Sequence, residues 1–240
     1  MTRLERLEEL KLNFNEIKKA VINKAEEEYR NPGELTIVAV SKTFPPEDIE
    51  IGLEAGIRTF GENYAQEIRD KIQHFSDKDK KPSWHFIGHL QSNKVKYLIP
   101  HVFLIHTVDS ITVAEEIDRK ASQFDKVQNI LIQVNTSGEV SKSGLEPENS
   151  LNFLKEIQKF KNINTVGLMT IGTFSDDEKI IRKEFSLLRN LKDNINQSIG
   201  EKKLTELSMG MSHDYLIAIE EGATILRIGT AIFGNRNYNF

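Results

Sequence analysis

The chain of 240 residues carries 32 Lys and Arg against 36 Asp and Glu, and it has no cysteine. Lacking cysteine, it has no disulfide, thiol nucleophile, or Cys-based zinc or iron–sulfur site. The mildly acidic balance, with no basic block or Arg-rich helix, argues against nucleic acid or an anionic membrane, so a small molecule is the expected partner.

The start, MTRLERLEELK, lacks an apolar signal core, and no later apolar run approaches membrane-spanning length, so the default expectation is a cytoplasmic protein. Over residues 4–28, Leu4, Leu7, Leu10, Phe14, Ile17 and Val21 recur at helical spacing among charges. Such a one-sided helix packs on its own domain or forms a dimer seam; a monomer is expected. Asn31-Pro32-Gly33 breaks it. Residues 35–42, LTIVAVSK, form a short β-branched apolar run that ends in a lysine and then Thr43-Phe44-Pro45-Pro46. This is the pattern of a buried parallel strand, and alternation places Lys42 on the face of Thr36, Val38 and Val40. Lys42 either snorkels to water or is a Schiff-base lysine whose desolvated amine attacks a carbonyl.

The pattern continues as alternating elements. A helix over 46–55, stopped by Gly56, precedes a strand over 58–60 that runs into Gly61-Glu62-Asn63-Tyr64. A helix to about residue 75 is followed by a solvated loop over 76–82. Strands follow over 84–87, 102–108, 129–134, 165–170, 204–207 and 224–228. Between them lie helices to residue 98 and over 112–124, 147–160, 177–195 and 213–221. Eight strands separated by seven helical stretches, without a linker, predict one domain over 1–240: a (β/α)8 barrel with an extra N-terminal helix. A doubly wound open sheet is the alternative, but the first strand is not followed by Gly-x-Gly-x-x-Gly.

A barrel builds its active site at the C-terminal ends of its strands, commonly with a phosphate site in the loops after strands seven and eight. After the seventh comes Ser208-Met209-Gly210-Met211-Ser212, with Ser212 expected to cap the next helix and Asp214 in its first turn. After the eighth comes Gly229-Thr230, where glycine admits close backbone approach and a hydroxyl can donate. Each feature alone is ordinary capping or turning; the two together point to phosphate. Arg227 is either paired to a carboxylate at the core edge or faces the same ligand. His85 and His89 do not read as a metal pair, because Gly88 breaks the helical geometry that would join them.

These residues resemble a known family. Ala39-Val40-Ser41-Lys42, Phe60-Gly61-Glu62-Asn63-Tyr64, the run from His85 to Lys94, Gly167-Leu168-Met169-Thr170, Leu207 to Ser212, and Arg227 to Gly234 together resemble the pyridoxal-phosphate homeostasis proteins, relatives of the alanine racemase N-terminal domain. The resemblance implies pyridoxal 5'-phosphate (PLP) held as a Schiff base on Lys42, with Asn63 lining the site. It also implies phosphate contacts from Ser212, Gly229 and Thr230, and Arg227 beside the pyridine ring. It leaves open whether Ser208 and Met209 face the ligand. Gly172-Thr173-Phe174-Ser175 lacks a proline that the family pattern carries.

The implied role is a cytoplasmic store or regulator of PLP and amino-acid balance, serving apo PLP-dependent enzymes, without clear catalytic activity. The alternative is a PLP-dependent amino-acid racemase, which needs acid/base groups on both faces of the substrate carbon. In the racemase relatives the opposite-face tyrosine comes from a second domain, and here the sequence ends at Phe240. A third reading is a Schiff-base aldolase.

Overall fold

The computed structural model describes residues 1–139, 141–200 and 203–235. Phe240, on which the expectation of a missing second domain turned, lies outside them. Eight parallel strands close into one barrel in sequence order: β1 (Thr36–Val40), β2 (Thr59–Glu62), β3 (Ser83–Phe86), β4 (Val102–Val108), β5 (Gln128–Gln133), β6 (Ile163–Met169), β7 (Glu206–Ser208) and β8 (Ile225–Ile228). Closure comes from β1 and β8, which pair Thr36 with Ile225 and Val38 with Arg227. The expected barrel is therefore present, and the open sheet is excluded.

Helices α1 (Arg3–Glu27), α2 (Pro46–Glu54), α3 (Ala65–His74), α4 (Ile111–Ser122), α5 (Ser150–Ile157), α6 (Glu178–Ile199), α7 (Tyr215–Glu220) and α8 (Thr230–Phe233) surround it. Each forms for a local reason. Thr2 and Glu5 make a reciprocal capping box at the start of α1, and Asp177 caps α6, which ends on left-handed Gly200. The expected helix before residue 98 is instead a 3-10 segment, Ser92–Tyr97.

Two cores result. The larger lies between barrel and helices; a smaller one fills the barrel with Val38, Leu104, Leu131, Met169 and Ile225. Gly61 belongs to this inner layer, where an added Cβ would come within 2.8 Å of Val38. Helix α1 packs on its own barrel: Arg6 donates to Asp48 at 2.8 Å and to the Phe233 carbonyl at 3.1 Å, and Asn13 donates to the Ile232 carbonyl at 2.9 Å. Those bonds hold α8 against α1.

Candidate functional site

Strand β1 stops at Val40, two residues short of the expected end, although Ser41 still donates to Gly61 O at 3.1 Å. Lys42 therefore sits in a turn, not at a strand end, because the next residue, Thr43, takes φ 71° and reverses the chain. The side chain still reaches the face foreseen for it: Lys42 and Val40 line one cavity of about 280 Å³ at the C-terminal mouth.

Asn63, Ser212, Arg227, Gly229 and Thr230 line the same cavity. The C-terminal ends of β1, β2, β7 and β8 and the segments that follow them thus bring together all six. Asn63 is held by close backbone contact with the loop after β3, where a Cβ on Gly88 would fall 1.9 Å from Asn63 O. Its Oδ1 is buried without a hydrogen-bond partner.

Ser212 does not cap the helix after β7. That helix begins at Tyr215 with Asp214 at its cap, and Asp214 Oδ1 accepts from Met211 N at 2.5 Å. Gly210, at φ 90°, turns the chain early, so Ser212 lies one turn before the helix and points across to the next loop. There its Oγ accepts from Gly229 N at 3.3 Å and Ala231 N at 3.4 Å. With two amides donating to the oxygen, the hydroxyl proton remains to be offered to a ligand. The two loops expected to form a phosphate site do meet, through a different bond.

Arg227 is buried, and its partners are not carboxylates. It donates to Ser208 Oγ at 2.7 Å and to Thr170 O at 2.8 Å. Ser208 Oγ lies 2.9 Å from His106 Nδ1, and His106 Nε2 lies 2.9 Å from His85 Nδ1. A polar chain thus runs down the barrel interior from the cavity. Burial pulls His85 down to about 4 and His106 well below its ordinary value, the latter also by the charges of His85 and Arg227. Both rings are neutral at pH 7, so each offers one donor and one acceptor nitrogen to the chain. Burial lowers Arg227 to about 10, opposed by the charge of Asp214, so it remains a cation at neutral pH.

Ser208 therefore lies beneath Arg227, and Met209 is wholly buried in the outer core; neither lines the cavity. His85 is buried and His89 exposed, so they do not converge; among the described residues no group of three His, Cys, Asp or Glu side chains could hold a metal. Sequence reading missed His106, Glu62 and Lys71, whose roles depend on buried neighbours. A second cavity of about 180 Å³ adjoins the first and shares Asn63, Ile87 and Ile171 with it.

A lysine, a guanidinium and a hydroxyl–amide cluster thus meet in one cavity at the mouth of a parallel barrel. Residues 7–237 match the family described as alanine racemase, N-terminal domain. The pyridoxal phosphate homeostasis protein of Aquifex aeolicus is 44% identical over 202 residues, 84% of this chain and 87% of that one. A protein from Bifidobacterium adolescentis superposes with a TM-score of 0.88 at 36% identity, covering 95% of this chain and 96% of its own. PipY of Synechococcus elongatus, solved with PLP bound, gives 0.79 at 32% identity over 89% of this chain and all of its own. The chain belongs to the alanine racemase N-terminal domain family and, within it, to the pyridoxal phosphate homeostasis proteins. An alanine racemase of Clostridium difficile, at 17% identity and a TM-score of 0.72, shares the fold.

Proposed function

We propose that this protein binds PLP at the barrel mouth, stores it and releases it to apo PLP-dependent enzymes, acting as a monomer in the cytoplasm. The observation that carries the reading is the convergence of Lys42, Asn63, Ser212, Arg227, Gly229 and Thr230 on one cavity. Its volume, about 280 Å³, is close to the lower end of the roughly 300–1,000 Å³ usual for small-molecule pockets. The buried, orphaned Asn63 Oδ1 on its wall also fits a polar ligand, since such atoms are costly to leave unpaired.

Lys42 would hold PLP, which when bound supplies an aldehyde that a lysine amine can take as a Schiff base. Lys42 is the attachment point. The Ser212 and Thr230 hydroxyls would hold the phosphate between the loops after β7 and β8 by charge-assisted bonds, with Gly229 admitting its close approach. Arg227 would lie beside the pyridine ring, and with a pKa of about 10 it would offer the ring nitrogen a hydrogen bond while keeping its proton. An unprotonated ring nitrogen is a weak electron sink, which favours holding the cofactor over carbanion chemistry. No helix among the described residues is long and apolar enough to cross a membrane.

The test is spectral and chemical. The purified protein with PLP should be yellow, borohydride should fix the cofactor, and peptide mapping should find the pyridoxyl group on Lys42. Lys42→Ala should lose both colour and label. A label mainly on another lysine would overturn the assignment. A chiral assay with alanine, run beside transfer of PLP to an apo-enzyme, separates store from racemase. Racemisation at ordinary enzyme rates, abolished by Lys42→Ala, would replace the storage reading.

A further inference from the structure

Beneath the Lys42 turn lies a buried ion cluster whose members do not line the cavity. Lys71 of α3 donates from Nζ to Ser41 O at 2.8 Å, to Glu62 Oε1 at 2.7 Å and to Glu67 Oε1 at 2.6 Å. Ser41 Oγ donates to the same Glu62 oxygen at 2.6 Å, and Thr43 N to the same Glu67 oxygen at 2.7 Å. The residues on both sides of Lys42 are therefore held by three charged side chains from the end of β2 and one face of α3.

Stability alone does not explain the cluster, since apolar groups of similar volume commonly stabilise a core as well as buried ions do. The shape it holds is itself strained: Thr43 is β-branched and sits at φ 71°. Such a backbone persists only where its surroundings over-determine it. We infer that Lys71, Glu62 and Glu67 are positioning residues that hold the 41–43 turn in the strained form that aims Lys42 into the cavity. The inference rests on Lys42 being the attachment point.

Glu62 makes the clamp adjustable. It is fully buried, its Oε2 has no partner, and burial raises it to about 7 against the pull of Lys71. Facing it are Ser41 after β1, and Lys71 and Glu67 on α3; its neighbours Phe86, at the end of β3, and Ile87, just after it, carry no charge. Above pH 7 the carboxylate draws in both Lys71 and Ser41. Below it the neutral acid pulls less on Lys71, and the turn slackens. Cofactor is held more firmly on the alkaline side.

The experiment compares wild type, Glu62→Gln and Glu67→Gln. Release of PLP is followed by the absorbance of the bound cofactor at pH 6 and pH 8, and amide exchange at Thr43 and Phe44 is measured in the cofactor-free proteins. The ratio of release rates, Glu62→Gln to wild type, should rise from near one at pH 6 to about tenfold at pH 8, the worth of a lost charged hydrogen bond. Because the ratio is taken at each pH, the pH dependence of the Lys42 linkage itself cancels. Glu67→Gln should speed exchange at Thr43 by about tenfold, and where Glu62→Gln fails to fold, this variant decides. A ratio near one at both pH values, with exchange at Thr43 unchanged, overturns the clamp. A wild type that takes up no PLP overturns the Lys42 reading instead, and is recognised because the parent protein itself fails.

Discussion

Lys42 and Ser212 show at the residue scale how little slack the site has. Ser212 ties the loop after β7 to the amides of Gly229 and Ala231. Ser212→Ala should weaken PLP binding by about 1.5–3 kcal/mol, the range for hydrogen bonds to charged groups. Titration by absorbance checks this, and wild-type affinity would place the phosphate elsewhere. Gly88 is the second sensitive point. Any Cβ there collides with backbone rather than a flexible side chain. Gly88→Ala should cost at least about 3 kcal/mol, the top of the usual overpacking range, read as a fall in unfolding midpoint. Its motif was visible in the sequence, but the reason for glycine, contact with Asn63 O one loop away, was not.

Among the elements, α1 does more than cover the barrel. Arg6 bonds Asp48 of α2 and the last carbonyl of α8, and its guanidinium lies 5.7 Å from the Phe44 ring, which stacks on Phe233 at 5.0 Å. One arginine thus braces both the Lys42 turn and the short helix of the expected phosphate loop. Arg6→Ala leaves Asp48 and the Phe233 carbonyl without that partner, and should destabilise the fold by about 3 kcal/mol, measured by urea unfolding. The helical stripe of α1 was legible in the sequence as an amphipathic pattern. That an arginine on this helix would be 8% exposed and central was not, since charged residues read as solvent-facing.

For the whole molecule, buried titrating groups set the pH dependence of stability. His85 drops to about 4 in the fold, so the unfolded chain binds more protons between about pH 4 and 6.5. Stability from this group is complete above pH 6.5 and is lost as pH falls through that window, by on the order of 3 kcal/mol. His106 acts in the same direction. Glu62, raised to about 7, acts oppositely: its contribution is fullest at about pH 4.5 and declines as pH rises to 7. Two histidines against one carboxyl predict unfolding temperatures that rise from pH 4.5 to 6.5. His85→Gln should rise less steeply, and a flat wild-type profile would contradict the neutral pair. Ligand linkage gives a second expectation. PLP at a hundredfold excess over its Kd should stabilise by about 2.7 kcal/mol, raising Tm by roughly 5–10 °C for a domain of this size. Lys42→Ala should gain far less.

From the sequence, the eight-strand alternation could be read, and Lys42, Ser212, Arg227, Gly229 and Thr230 could be picked out at strand ends; Asn63 came only through the family resemblance. Hydrophobic period and turn chemistry are local properties, and barrel topology assigns function to strand ends in advance. Only the tertiary structure decided how those residues are held. His85, His106, Ser208 and Arg227 come from β3, β4, β7 and β8, and closure of the barrel alone lines them up. Strand ends moved for the same reason: β2 runs on to Glu62 because Gly61 and Glu62 find partners in His85 and Phe86. Ser212 likewise takes its partners from the following loop rather than from its own helix. Buried polar groups must be satisfied by whatever the fold brings near, and that neighbourhood is set by strands far apart in the chain.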